Sequence, residues 1–471
     1  MSVEKIRANN VPKQENVLRT ADLADPEISA KCPEKLGKEK TDEPKGSGKE
    51  IIATHLFATI FSVLLWSLLS LVPLGPIYDR SGPRVSGMVF SVMNLPISIA
   101  ISLSTVFWIR ELFGLSIRWW SKDTWWPVLA YMVWNFIVYS IFALIPLFPV
   151  PFMPVYGGGL AYSVVPPLIT YLFCLPAHVK AQPDFLKKFA SSIIVSGSLN
   201  VYWFVLFGFY FAFINTPNTT GLQIMLLALI KIFTVVFGGI QVKLVHSVAR
   251  TLGHKEGENI GALAKLFIET AFETYIFLVI PDMHDWAVFG FWLALDIACL
   301  FLELFHKYET ALDIVLSRFG RLKISHLGSS EDLEETIRVR TKHYLVSVVS
   351  KVFGTCVFST LLATWYYGPN KEWYPIFATF PEAVVTDAIF KAWLALAGIL
   401  IHLAGTLALF RYRGIPVAKY AGQFFGRYGP LFVGIYLCAP IFPFTHMGKH
   451  WYCLEYMWEV VHGTHSLTSA R

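Results

Sequence analysis

Long apolar runs alternate with short polar segments along most of this chain. Each run holds roughly the 20 residues that a helix needs to cross the hydrocarbon core of a bilayer. The pattern predicts an all-α, polytopic transmembrane helix bundle with about eleven spans. Two runs are interrupted by proline pairs, Pro166–Pro167 in the fourth and Pro440 with Pro443 in the last. The predicted spans are 51–74, 88–109, 126–149, 160–179, 190–214, 222–245, 264–281, 286–305, 344–366, 388–410 and 428–445.

Lysine and arginine are distributed unevenly over the segments between these runs. Counting every second connecting segment, together with residues 31–50, gives 27 Lys and Arg on one side of the predicted membrane. The segments on the other side contain 5. Because basic residues accumulate on the cytosolic side of membrane proteins, this asymmetry predicts a cytosolic N-terminus and a C-terminus outside.

The segments outside the runs complete the predicted organisation. Residues 1–50 contain ten basic and ten acidic residues and few aliphatic clusters, so we expect a disordered, charged cytosolic tail. Spans one to eight then occupy 51–305, and spans nine to eleven occupy 344–445. Between them, 306–343 is predicted to be a cytosolic loop with amphipathic helices, the second starting near Ser329 and continuing into the ninth span.

Composition supports the membrane interpretation and narrows the function. The hydrophobic fraction is 55% and the charged fraction 15%, whereas soluble domains carry about 25% charged residues. The net charge of +6 arises from the loops, so we expect no nucleic-acid partner. The sequence has no nucleotide-binding loop, dinucleotide fingerprint or nucleophile elbow, and we predict no cofactor.

Four ionisable residues fall deep inside predicted spans. They are Lys231 in the sixth span, Glu269 and Glu273 in the seventh, and Asp296 in the eighth. The short turn 281–285 brings Glu269 and Asp296 to nearly the same depth, and Lys231 and Glu273 lie about 14 and 12 Å from the outer ends of their helices. Because isolated charges are costly in hydrocarbon, we expect these side chains to gather between the three spans and to act in transport or as a proton relay.

A purely structural interpretation of the same residues stays open. In it, Lys231 and Glu273 form a static ion pair, and the other carboxylates are held by neighbouring groups. Lys351 and Lys391 are also buried in predicted spans, but we expect their long side chains to reach the two interfaces. Asn135, Asn200 and His402 are secondary polar candidates.

Histidines are concentrated in the predicted interfacial tail 446–471. Their spacings of three and four residues suit metal coordination on one helix face, although an amphipathic helix whose histidines face water explains them equally. We predict no metal site. The histidines concerned are His446, His450, His462 and His465.

Three functional classes follow. The first is a secondary transporter or channel-like protein for a small solute or ion, coupled to protons or cations through the intramembrane carboxylates. The second is a membrane-embedded enzyme acting on a lipid or acyl substrate, with His402 as base and Asn200 or a carboxylate as its partner. The third is a non-catalytic scaffold or sensor, for which we expect no polar cavity at mid-membrane. In each, the bilayer is the main partner, in the plasma membrane or an endomembrane.

Overall fold

Long helices contain most of the residues that the computed structural model describes. These are 48–71, 102–113, 122–144, 168–170, 174–214, 219–251, 257–283, 285–304, 330–369 and 381–440, with single positions between them, and these ranges contain no strand. The long helices are α1 (Gly48–Leu71), α2 (Lys122–Leu144), α3 (Phe185–Ile214), α4 (Thr220–Thr251), α5 (Gly257–Val279), α6 (Trp286–Leu304), α7 (Ser330–Tyr367), α8 (Glu382–Tyr412) and α9 (Val417–Cys438). Residues 102–112 are also helical.

Five helices are long and apolar enough to cross a membrane. They are α1, α4, α6, α7 and α8, and they coincide with the first, sixth, eighth, ninth and tenth predicted spans. The other six predicted spans and the orientation of the chain stay predictions. Helix α5 is not among the five, since Lys265, Glu269 and Glu273 interrupt its apolar sequence. Most of the N-terminal tail, the loop from 306 to 329 and the histidine-rich C-terminus lie outside the described residues.

Helix α7 lies at the centre of the bundle. In its apolar stretch 83% of the residues are buried, against 28% in α1, α4 and α6 and 33% in α8. It packs against α1, α5, α6, α8 and α9. Small residues such as Ser347, Ser350 and Thr355 face these neighbours and let the helices approach closely. The helix begins at Ser330 and runs unbroken to Tyr367, as the sequence indicates from Ser329 onward.

Helices α1 and α9 pack together through hydrogen bonds at the end of α9. The last carbonyl groups of a helix have no partner within it. Here the Ser62 hydroxyl donates to the carbonyl of Tyr436 at 2.7 Å, and the Trp66 indole donates to that of Leu437 at 3.0 Å. Helix α9 spans Val417–Cys438, whereas the apolar run predicts 428–445, because the helix continues past its apolar stretch at the start and stops before Pro440.

Helices α5 and α7 approach each other closely in the core at Gly354. A β-carbon at this position would lie 2.9 Å from the β-carbon of Glu273 and 3.1 Å from the ring of Phe277. Only glycine therefore allows the two helices to approach this far.

We expect Gly354→Ala to destabilise the protein by about 1–3 kcal/mol, because the added methyl group meets a β-carbon that cannot move without the helix. The matched control is Gly405→Ala in α8, where a new β-carbon meets nothing within 4 Å. The control should stabilise the helix by about 0.5–1 kcal/mol. Thermal unfolding midpoints of the purified protein in detergent test the pair, and equal shifts would contradict this packing.

Two aspartates in the turn between α5 and α6 have opposite pKa shifts. Burial raises the pKa of Asp282 to about 7. Hydrogen bonds from the Thr220 hydroxyl, at 2.6 Å, and from the Ala287 amide, at 2.8 Å, lower the pKa of Asp285.

Substituting these aspartates should change stability in opposite directions. Because the pKa of Asp282 is higher in the folded protein than in the unfolded chain, its contribution to stability is lost as the pH rises from about 4 through 7. Asp282→Asn should therefore raise the unfolding midpoint at neutral pH and have little effect at pH 4. The contribution of Asp285 is present above about pH 4 and lost at lower pH, so Asp285→Asn should lower the midpoint at neutral pH. Shifts of the same sign in both variants would refute this assignment.

Candidate functional site

Four helices each place one charged side chain at the same point inside the bundle. Lys231 comes from α4, Glu273 from α5, Asp296 from α6 and Lys351 from α7. Lys231 is 5% exposed and each of the other three 1%. Four charges this deeply buried are tolerated only when they neutralise one another, because removing an ion from water costs several kcal/mol.

The four side chains form a chain of alternating charge, which we call the charge network. The Asp296 Oδ1 atom accepts hydrogen bonds from the Lys231 and Lys351 ammonium groups, each at 2.6 Å. The same Lys351 ammonium also donates to Glu273 Oε1. Lys231 and Glu273 stand at the two ends, and the network carries no net charge when all four groups are ionised.

Local packing fixes this geometry. Gly354 lies one turn beyond Lys351 on α7, and the close approach it allows brings Glu273 against the lysine. The Lys231 ammonium also lies over the ring of Phe272, 4.4 Å from its centroid, which favours the cation. Helices α5 and α6 are consecutive in the chain but pack mainly against α4 and α7. Lys351 therefore lies between the two carboxylates, and Asp296 lies between the two lysines.

Each carboxylate of the network has one oxygen that accepts no hydrogen bond from the described residues. Glu273 Oε2 and Asp296 Oδ2 are buried and have no hydrogen-bond partner among the described residues. A buried acceptor without a partner is unfavourable by about 1–3 kcal/mol. A proton, a water molecule or a bound cation would satisfy these two atoms.

A cavity of about 150 Å³ reaches the network between α4, α5, α6 and α7. Lys231, Asp296 and Lys351 lie at its buried end. On α4 the wall continues to Lys243, twelve residues further and about 18 Å along the helix. Gly238 and Gly239 form part of this wall, where the absence of side chains leaves room.

The other end of the cavity is charged and less buried. Lys265 pairs there with Glu303, which also accepts a hydrogen bond from the Ser347 hydroxyl at 3.1 Å. Arg340 and His343 complete this end. Glu269 and Cys299 line the wall between the two ends. Glu269 has no hydrogen bond or ion pair with any described residue.

Three of the four predicted transport residues, Lys231, Glu269 and Asp296, line this cavity, and Glu273 joins the network through Lys351. The pairing differs from the expected one. Lys231 binds Asp296, and Glu273 binds Lys351 instead of Lys231. The depth of a residue along a helix predicts which side chains share a level, but not which way each one faces.

The two lysines expected to reach the interfaces behave differently: Lys391 extends to the turn after α5, on the predicted outer side, and Lys351 stays inside the bundle. Lys351 does not reach an interface, because α7 is surrounded by other helices and offers no lipid-facing surface for a long side chain to follow. Lys391 is also 1% exposed. It pairs with Asp387 at 2.6 Å and donates to the Met283 carbonyl at 2.7 Å, in the turn after α5.

Of the secondary polar candidates, the structure describes only the side chain of His402, which is not part of the charge network. His402 is on α8, where its Nδ1 atom and the Tyr344 hydroxyl are 3.0 Å apart and the Phe301 ring packs edge-on against it. It does not line the cavity. Asn135 and Asn200 belong to α2 and α3, and the structure describes neither side chain.

The predicted metal candidates His446, His450, His462 and His465 lie outside the described residues.

Over the described residues, fold and site together define an all-helical protein. It has five helices long and apolar enough to cross a membrane and a buried charge network between four neighbouring helices. No family model matches the chain, and no curated protein or solved structure matches it either.

Substituting Asp296 should destabilise the protein far more than substituting a charged residue at the surface. Asp296→Asn leaves Lys231 without a counter-charge, and we expect a loss of about 3–5 kcal/mol in unfolding free energy. The double variant Lys231→Met with Asp296→Asn retains the balanced Lys351–Glu273 pair, so it should be more stable than Asp296→Asn alone.

The matched control for this comparison is the partly exposed pair Asp184–Lys188, 3.0 Å apart. Asp184→Asn should change stability by less than about 1 kcal/mol. Unfolding midpoints in detergent give the comparison. A double variant less stable than Asp296→Asn would show that Lys231 does not depend on Asp296 for its charge.

Proposed function

We propose that this chain is a polytopic integral membrane protein that acts as a secondary transporter or channel-like protein for a small solute or ion. Glu273 and Asp296, with Glu269 beside them, would carry protons or cations, and Lys231 and Lys351 would supply the counter-charges. The observation that carries the proposal is a buried, neutral charge network at the closed end of a polar cavity. Buried ionisable groups beside a cavity in membrane helices mark substrate pathways and proton relays.

The unused carboxylate oxygens suggest how coupling would work. A proton or cation arriving at Asp296 Oδ2 or Glu273 Oε2 weakens the hold of that carboxylate on its lysine. Since each of the four residues sits on a different helix, a change of pairing alters the contacts between α4, α5, α6 and α7. Binding of the ion would then shift the balance between two arrangements of these helices.

The proposed topology indicates which end of the cavity faces the cytosol. With eleven spans and a cytosolic N-terminus, Lys243, Lys265 and Arg340 belong to cytosolic segments. The less buried end of the cavity would open to the cytosol, and the charge network would lie near mid-membrane. A protein with this arrangement in the plasma membrane or an endomembrane would exchange its solute, proton or cation across the bilayer.

The two alternative functions receive less support. A lipid- or acyl-modifying enzyme would need His402 beside its substrate, but this histidine packs between Tyr344 and Phe301 and is not part of the cavity wall. A scaffold or sensor is expected to have no polar cavity, and one is present beside Lys231 and Asp296.

Purified protein in liposomes tests the transport proposal. We expect the protein to move at least one of a panel of radiolabelled solutes, comprising sodium, rubidium, chloride, phosphate and benzoate, or to move protons reported by a trapped pH-sensitive dye. Glu273→Gln and Asp296→Asn should reduce that flux to the level of empty liposomes, since both remove the ionisable group.

Asp184→Asn, which alters a charge on the partly exposed start of α3, should retain the flux. Reconstitution is checked by the amount of protein recovered in the vesicles. Flux that is unaltered in both Glu273→Gln and Asp296→Asn would remove the carboxylates from the mechanism. A wild-type protein that moves nothing in the panel would remove the proposal itself.

A further inference from the structure

One carboxylate of the cavity stands outside the charge network. Glu269, on α5, lies in the wall between the two ends and is partly exposed. No hydrogen bond or ion pair joins its carboxylate to another described residue. Asp296 and Glu273 are each only 1% exposed. Solvent that enters the cavity therefore reaches Glu269 more readily than it reaches either carboxylate of the network.

Titratable side chains follow one another along the cavity. On α5, Glu269 precedes Glu273 by four residues, about 6 Å, so the two share one face of the helix. On α6, Glu303 follows Asp296 by seven residues, about 10 Å, again on one face. His343 lies at the less buried end, beside Glu303. These groups form a path from that end of the cavity to the network, with steps short enough for water to bridge.

The path ends at two carboxylate oxygens that lack a partner. Glu273 Oε2 and Asp296 Oδ2 are buried and accept no hydrogen bond from the described residues, and Asp296 lines the cavity. A proton that reaches either oxygen forms an O–H bond there and leaves the carboxyl group neutral. The ammonium group that this carboxylate held then loses a counter-charge.

A metal cation suits this path less well than a proton. The ammonium groups of Lys231 and Lys351 both lie 2.6 Å from Asp296 Oδ1. A cation at Oδ2 of the same carboxylate would therefore lie close to two fixed positive charges, and their repulsion is strong where the dielectric constant is low. A metal ion also needs several oxygen ligands at once, whereas a proton binds a single oxygen.

We propose that the coupling ion is a proton and that Glu269 takes it up from the cavity. This deepens the transport proposal, on which it rests, by naming the ion. The proton then passes to Glu273: the O–H bond of Glu269 breaks, its electron pair stays on Glu269, and a new O–H bond forms at Glu273 Oε2. Glu273 becomes neutral and no longer balances Lys351, which weakens the link between α5 and α7.

Charged and titratable groups from several helices face this part of the cavity. Lys243, Lys265 and Arg340 have contacts of their own. Tyr202, on α3, lies near both Glu269 and Glu273. Among the described residues, α9 contributes none to the wall. The remaining groups are Lys231 on α4, Asp296, Cys299 and Glu303 on α6, and His343 and Lys351 on α7. Of all these, only the carboxyl groups and His343 ordinarily titrate between about pH 4 and 8, so the assignment needs a variant of Glu269 itself.

Infrared spectroscopy of the full-length protein in phosphatidylcholine vesicles detects the proton directly. A protonated carboxyl group has a C=O stretching band that a carboxylate lacks. We expect Glu269→Gln to remove one such band from a pH titration. Since Glu269 has no partner among the described residues, the variant should keep the wild-type unfolding midpoint. Asp184→Asn, on the partly exposed start of α3, should leave that band in place. A titration that is identical in Glu269→Gln and the wild type would overturn the proposal.

Sodium distinguishes a proton site from a site for a metal cation. If sodium occupied the same carboxylate, a tenfold rise in its concentration would lower the midpoint of the Glu269 titration by about one pH unit, because the two ions would compete. We expect the same midpoint in sodium chloride and in N-methylglucamine chloride of equal ionic strength. A midpoint that falls as sodium increases would assign the site to the metal ion and overturn the proposal.

Dicyclohexylcarbodiimide provides a second measurement, on the unaltered protein, in case Glu269→Gln does not fold. The reagent adds to protonated carboxyl groups: the carboxyl oxygen bonds to its central carbon, and the proton moves to one of its nitrogens. Peptide mass spectrometry locates the adduct. We expect Glu269 to be modified more slowly as the pH rises, and sodium to give no protection. A Glu269 that stays unmodified at every pH would count against its role in proton uptake.

The outcomes separate the proton site from the transport function. A titrating band assigned to Glu269, in a protein that moves no solute in liposomes, supports the proton site and removes transport. Solute flux that is unaltered in Glu269→Gln leaves transport standing and overturns the role of Glu269.

Discussion

The pairing of Asp296 with two lysines is the interaction on which the centre of this bundle depends. A single carboxylate oxygen holds Lys231 from α4 and Lys351 from α7, and Lys351 in turn holds Glu273 on α5. Burial of these charges is acceptable only while all four remain together. The positions of four helices are thus tied to one electrostatic condition. Any movement that separates the ions must replace their partners with water, protons or other ions.

The packing of α7 creates the setting in which this condition applies. Because the helix is enclosed on most sides, Lys351 cannot extend to an interface and must find its partners inside the protein. Gly354 brings α5 close enough for Glu273 to be one of them. The core is therefore polar at its centre, and the exposed residues of the outer helices, such as Leu229 on α4 and Ile401 on α8, are apolar. A surface of this kind suits contact with lipid.

Much of the fold could be predicted from the sequence, because long apolar runs allow little other than helices. Five of these runs coincide with helices able to cross a membrane, and the remaining spans and the orientation stay predictions. Several helix ends were predicted poorly, since helices such as α4 and α9 continue past the apolar stretch into polar sequence, whereas the extension of α7 toward Ser330 was predicted. An apolar run indicates which part of a helix lies in the hydrocarbon core, whereas the end of the helix is determined by local features such as Pro440.

The residues of the site could also be predicted, but not the way they pair. The free-energy cost of placing charges in hydrocarbon indicates that Lys231, Glu273 and Asp296 should meet. A rise of 1.5 Å per residue gives their depth in the membrane. It does not give the direction in which each side chain points, which depends on the rotation of its helix. The expectation for Lys351 was wrong because it assumed a lipid-facing helix. A count of charges carried the missing signal, since three carboxylates within predicted spans call for more than one lysine.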